Sequence, residues 1–306
     1  MSAALREHVD IASAVQDALA HGRPVVALET TIVTHGMPHP QNVATARAVE
    51  AIVRAGGAVP ATIAVIDGRI RVGLDDDTLA WLGTADDVLK LSRADLPYAI
   101  AARKHGATTV AATMICARLA GIGVFATGGI GGVHRGAEAT FDVSADLAEL
   151  ARTPVTVVCA GAKALLDLRK TLEVLETHGV PVVGFGTDTF PAFWSRSSGL
   201  PVPLRLDTVE EIVALVRAKA ALGLEGGVLV ANPISAGDEI PAAEIGRHIA
   251  LAVAAAERAG VSGKAVTPYL LDHLFTATGG RSLAANIALV ENNARLAAAV
   301  AVAAAT

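Results

Sequence analysis

The residues best able to do chemistry are rare polar side chains standing directly after apolar, strand-like runs. Glu29 follows Val25–Leu28, and Lys163 follows the run 155–159 after a short turn of small residues. A carboxylate at the end of a buried strand is itself partly buried, which favours its neutral form and suits it to general acid and base work. The spacing predicts a helix over 163–176. An amine at a helix start among apolar neighbours gives up its proton more readily and becomes a nucleophile. Lys170, further along the same stretch, reads as an ordinary surface lysine.

Other segments offer partners for this pair. Four glycines lie within 128–132, directly after the run 123–127, where a backbone free of side chains can close on a ligand or form an anion nest. Their spacing is neither GxGxxG nor GxxxxGK[ST], so dinucleotide and P-loop readings have no support. His134, Arg135, Glu138, Asp142, Ser144 and Asp146 follow closely. A hard divalent cation would favour Asp142 or Asp146, with water completing its shell, and Ser144 is also suited to cap the next helix. Lys90, with Thr108 and Thr109, can grip an anion such as phosphate. Asn286, Asn292 and Asn293 are poor helix formers in an alanine-rich helix predicted over 282–303. Asn286, between Leu283 and Ile287, is the best placed of the three for a site, whereas a solvated face or an interface accounts equally well for Asn292 and Asn293. Ser235-Ala236-Gly237-Asp238 is similar to the anion hole of ribokinase-like sugar kinases, but Pro241 breaks the helix that such an aspartate should open.

Positioning these groups requires a sheet. Strands are predicted over 25–28, 61–66, 69–72, 123–127, 155–159, 182–184 and 227–231, several of them wholly apolar as in strands covered on both faces. Asp67-Gly68 joins two alternating runs, a β-hairpin signal. Helical patterns fall over 40–55, 96–104, 144–151, 163–176, 208–222, 242–260 and 282–303. The alternation predicts a three-layer α/β/α sandwich with a largely parallel central sheet plus one β-hairpin, in a single domain spanning 1–306. Open sheets of this kind build their sites at the carboxyl ends of the strands, where Glu29 and Lys163 stand.

Composition narrows the function classes. Hydrophobic residues make up 52% of the 306, yet the longest apolar runs are well short of the roughly 20 residues that span a bilayer. The charged first ten residues do not read as an export signal, so a cytoplasmic protein without membrane attachment is expected. A net charge of −5 with no basic block argues against nucleic-acid binding. Cys116 and Cys159, both in strand-like surroundings, read as reduced core thiols.

The stretches ALETTIVTHGMPHPQN, PATIAVIDGRIRVGL, TTVAATMICA, VFATGGIGGVHRGAE, FDVSADL, VVCAGAK, TLEVLETHGVPVVGF and SLAANIALVENNA, running in this order from about residue 25 to 300, resemble the pseudouridine-5′-phosphate glycosidase family. The resemblance implies reversible hydrolysis, with lyase-type cleavage, of pseudouridine 5′-phosphate to uracil and ribose 5-phosphate. The family's nucleophile falls on Lys163, its proton-donating glutamate on Glu29, and its metal ligand, typically for Mn²⁺, on Asp142. Substrate contacts fall on Lys90, Val110 and the run Ser144, Ala145 and Asp146. Together with the residue-level reading, the expected substrate-binding set is Lys90, Thr109, Val110, Thr127, His134, Ser144, Ala145, Asp146 and Asn286. The family also implies a homotrimer. Thr30 stands where serine is common, and it keeps the hydroxyl. A carbon–carbon glycosidic bond has no heteroatom leaving group to protonate, so the carboxylate pair of ordinary glycosidases is a poor fit. Attack by a lysine on C1′ through an imine answers that difficulty. A Schiff-base aldolase and a non-catalytic nucleotide-binding protein are the competing readings.

Overall fold

The computed structural model describes residues 7–261 and 266–306. Eleven strands form one branched sheet, which we label β1 (Val9–Ile11), β2 (Val25–Leu28), β3 (Val59–Ile66), β4 (Arg69–Val72), β5 (Leu89–Leu91), β6 (Gly106–Thr108), β7 (Val124–Ala126), β8 (Thr156–Cys159), β9 (Val182–Phe185), β10 (Leu204–Leu206) and β11 (Val228–Ala231). The order is β1-β4-β3-β2-β7-β8-β11-β9-β10, with β6 and then β5 branching from β3. Every pairing is parallel except β3–β4, the expected hairpin, and β3–β6. This is the largely parallel α/β fold that the alternation predicts. All seven predicted strands are present, with ends shifted by two residues at most. β1, β5, β6 and β10, three residues each, are too short to carry a pattern.

The branch has a specific cause. β3 pairs with β2 through its first half and with β6 through its second. Where they diverge, the Ile63 carbonyl accepts hydroxyls from both Thr30 and Thr108, each at 2.8 Å. Thr108 N in turn donates to Thr30 Oγ1 at 3.0 Å. Buried threonines therefore replace the ladder bonds lost at the fork, and the hydroxyl retained at position 30 is structural.

Both faces are covered. One buried cluster joins Val25, Ile63, Phe125, Val157 and Leu229 to the helix Val110–Ala120. The other joins Val26, Val158 and Val230 to Leu289, Val290, Ala294 and Ala297 on the helix Arg281–Ala305. That helix has the length and mean hydropathy of a membrane span, but half of it is core packed against the sheet.

Two expectations are corrected. Cys116 lies in the helix Val110–Ala120, not in a strand, because its apolar neighbours face packing on both sides; it is buried and free, as is Cys159 in β8. Nor does a helix begin at Lys163. The helix starts at Leu168, capped by the Asp167 side chain accepting from Lys170 N at 3.1 Å, because residues 160–167 are already engaged in loop pairing.

Candidate active site

Beyond their last paired residues, β7 and β8 continue side by side as loops. Ala160 N donates to Gly128 O at 2.9 Å, Ile130 N to Gly161 O at 3.1 Å, and Lys163 N to Ile130 O at 3.1 Å. Lys163 is thus positioned by a non-helical extension of the sheet, and the helix-end part of the argument for its reactivity does not apply. The glycines serve the same construction. A Cβ on Gly129 would sit 2.7 Å from the Phe193 ring, and one on Gly131 would sit 2.8 Å from Asp146 Oδ2. Protein, rather than ligand, occupies the space that these residues leave.

Asp146 bolts this loop down. It is buried, with Oδ1 accepting from Ala111 N at 2.9 Å and Oδ2 from Gly131 N at 2.8 Å. Asp146→Ala is expected to leave two buried N–H groups without partners at a cost of about 3 kcal/mol. Thermal unfolding should show a melting temperature several degrees lower.

Glu29 follows β2 and is half-buried. Thr127 Oγ1 donates a short hydrogen bond to its Oε1. Burial pushes the Glu29 carboxyl above the usual carboxylate range and Asp146 pushes the same way; the positive charges of Lys163 and Lys90, with the Thr127 bond, pull against them. The residues after Glu29 turn as a π-helix, Ile32–Gly36, a rare form concentrated at functional sites. It turns His35 into the cleft, where burial and the Lys90 charge hold its imidazole below the ordinary histidine range.

Glu29, Thr31, Lys90 and Lys163 line the junction of a two-armed cleft. One arm, about 550 Å³, is walled by Ile32, Leu165, Phe193, Trp194, Leu271 and Asn286. The other, about 960 Å³ and open to solvent, is lined by Ser92, Thr109, Val110, His134, Asp142, Ser144, Ala145 and Asp146. The structure therefore brings Lys90, Thr109, Val110, His134, Ser144, Ala145 and Asp146 together, puts Asn286 in the other arm, and sets Thr127 behind Glu29. His134 Nδ1 stands 3.8 Å from Asp142 Oδ2 at the polar arm. Ser144 caps Ala145–Leu150 by accepting from Asp146 N. The exposed Ser235 bonds Asp238 at 2.6 Å away from the cleft.

The expected site residues do not include Phe193, Trp194, His35 or Asn293. Phe190, Phe193 and Trp194 within five residues are a usable signal in a chain only 3% aromatic. Phe193 also holds a left-handed φ of 60°, uncommon for a bulky residue, and its ring meets Trp194 edge-on at 5.0 Å. Asn293 is no solvated residue; it is fully buried.

A lysine and a half-buried carboxyl sharing one cleft at the strand ends of a mostly parallel sheet define an α/β enzyme. The chain matches the family model for indigoidine synthase A like protein over residues 14–303. Pseudouridine-5′-phosphate glycosidases from Methylobacterium nodulans and Solibacter usitatus are 71% and 66% identical to it, over 96% and 95% of this chain and 88% and 97% of theirs. Among solved structures, the prealnumycin C-glycosynthase AlnA in complex with ribulose 5-phosphate superposes with a TM-score of 0.90 at 39% identity, covering 98% of this chain and 97% of that one. An indigoidine synthase A-like protein from Thermotoga maritima gives 0.87 at 37% identity, with 96% of each chain covered. The chain belongs to the pseudouridine-5′-phosphate glycosidase family.

Proposed function

We propose that the chain cleaves the bond between ribose C1′ and uracil C5 of pseudouridine 5′-phosphate, yielding uracil and ribose 5-phosphate, and runs the reaction in both directions. The observation that carries the reading is that Lys163 and Glu29 face one cleft, close enough for the lysine charge to act on the carboxyl. The contrast between the arms supports it. Lys90, Ser92, Thr109 and Ser144 suit a sugar phosphate, while Phe193, Trp194 and Leu271 with the Asn286 amide suit a planar base. The names of the close relatives, and the sugar phosphate held by the C-glycosynthase, point the same way.

In this reading the C1′–O4′ bond opens with a proton delivered to O4′, and Lys163 Nζ adds to C1′. Breaking the C1′–C5 bond sends its electron pair to uracil C5, which takes a proton and leaves an imine between C1′ and Nζ. Water then adds to C1′, releasing ribose 5-phosphate and the free amine. Glu29 delivers and recovers the protons. The Schiff base is trapped if borohydride with substrate leaves a ribose 5-phosphate adduct on Lys163; release of uracil, followed by absorbance, tests the reaction itself. An adduct formed from ribose 5-phosphate itself, with no uracil released from the C-nucleotide, would favour the aldolase reading.

Asp142 would hold a divalent cation, Mn²⁺ in this proposal, with His134 beside it. Among the described residues no three His, Cys, Asp or Glu side chains converge. A hard cation here fits only if water and substrate oxygens supply most of its shell, as such ions accept, and the open polar arm leaves that room. When bound, it supplies positive charge to substrate oxygens. A chelator is expected to abolish uracil release and Mn²⁺ to restore it; full turnover after metal removal would discard the Asp142 role. The same reading has the enzyme working in the cytoplasm as a homotrimer, and sedimentation of the purified protein tests the assembly.

A further inference from the structure

Where parallel strands end, their last carbonyls lose their ladder partners and need others. Thr127 O and Gly128 O, just past β7, are such groups, and Thr127 is buried. Asn293, on the helix Arg281–Ala305, answers both: its Nδ2 donates to Thr127 O at 2.8 Å and to Gly128 O at 3.3 Å. Its own Oδ1 accepts from Asn232 Nδ2 at 3.1 Å. Asn232 follows β11, and its N donates to Cys159 O at 2.8 Å. An amide on one helix thus ties the ends of β7, β8 and β11. The residue it holds, Thr127, donates its hydroxyl to Glu29.

We infer that Asn293 is a positioning residue for the catalytic carboxylate, acting through Thr127 to aim the hydroxyl that holds Glu29. The inference rests on the reading of Glu29 as the proton carrier. Asn293 is not among the residues lining either arm of the cleft, and a plain packing role would be met by leucine, which has the same branching and number of side-chain heavy atoms. What leucine cannot do is fix the Thr127 carbonyl and, through it, the direction of the Thr127 side chain. Gly128 O has a second donor in Ala160 N, so the loss falls on Thr127.

The test compares Asn293→Leu, Thr127→Val and the double variant in the intact enzyme. Loss of a donor to a carboxylate favours its protonated form. The limb of the kcat/KM–pH profile that Glu29→Gln abolishes should therefore move upward by about half a pH unit or more in each single variant. The double variant should move no further than Thr127→Val alone, because the two act on one bond. Thr127→Ser, which keeps the hydroxyl, should restore the wild-type limb. Titration of Glu29 by ¹³C NMR in glutamate-labelled, substrate-free protein reads the same shift without turnover. Failure of wild-type protein to release uracil would therefore count against the proposed reaction and leave this measurement standing. A folded Asn293→Leu protein with an unmoved Glu29 midpoint, or additive shifts in the double variant, overturns the inference. If Asn293→Leu does not fold, Asn232→Leu removes the donor that orients the amide and is read by the same two outcomes.

Discussion

Lys163→Ala is expected to lower uracil release by at least about 10⁴-fold, as removal of a covalent nucleophile does elsewhere. Lys163→Arg should do no better, since a guanidinium keeps its charge but cannot form the imine. Both proteins should fold, because the backbone of residue 163, not its side chain, makes the bond to Ile130 O. Borohydride should then leave no sugar on the chain. Turnover within tenfold of wild type in the alanine variant would remove the imine from the mechanism.

The second large effect belongs to Glu29. Glu29→Gln keeps an oxygen for the Thr127 hydroxyl but cannot exchange protons, and kcat should fall by about 10² to 10⁴-fold. Its effect on stability should run the other way. Burial raises the Glu29 pKa in the folded protein, so the fold binds this proton more tightly than the unfolded chain does. Stability is then lost as pH rises from the unfolded carboxylate value, about 4.3, through the raised folded value, and the deficit persists above it. The neutral amide of Glu29→Gln carries no such penalty. The variant should melt at or above the wild-type temperature at neutral pH, and the advantage should close as pH falls toward 4. A variant less stable than wild type at pH 7 but not at pH 4 would show that ionised Glu29 is favoured by its surroundings.

How much of this was legible beforehand follows the physics of each signal. Glu29 could be found because a charge after four apolar residues is costly unless it has work. Lys163 was found for a reason only half sound: it does follow a buried strand, but the helix expected beneath it starts five residues later. The glycines within 128–132 do stand at the cleft, but the space that their missing side chains leave is filled by Phe193, Asp146 and Thr171, contacts made by segments distant in the chain. Long-range packing of that kind leaves no local periodicity. Asn293 is the sharpest case. Helical spacing put it beside Asn292, whose amide reaches Pro233 O at 3.1 Å from a half-buried position, and nothing local distinguished the two. The π-turn at Ile32–Gly36 has no sequence pattern to read, so nothing local assigns His35 to the cleft.

The helix Arg281–Ala305 has a consequence in time. It is the last of the described elements to be synthesised, and it carries Asn286 in the cleft wall and the Asn293 amide that ties three strand ends together. A nascent chain that has reached β11 has the segments that carry Glu29, Thr127 and Lys163, but neither the helix that covers one face of their sheet nor the amide that ties their ends. Competence for chemistry should therefore arrive with the final helical turns rather than grow in step with the sheet, and ribosome-stalled chains ending before residue 281 should be inert toward the C-nucleotide.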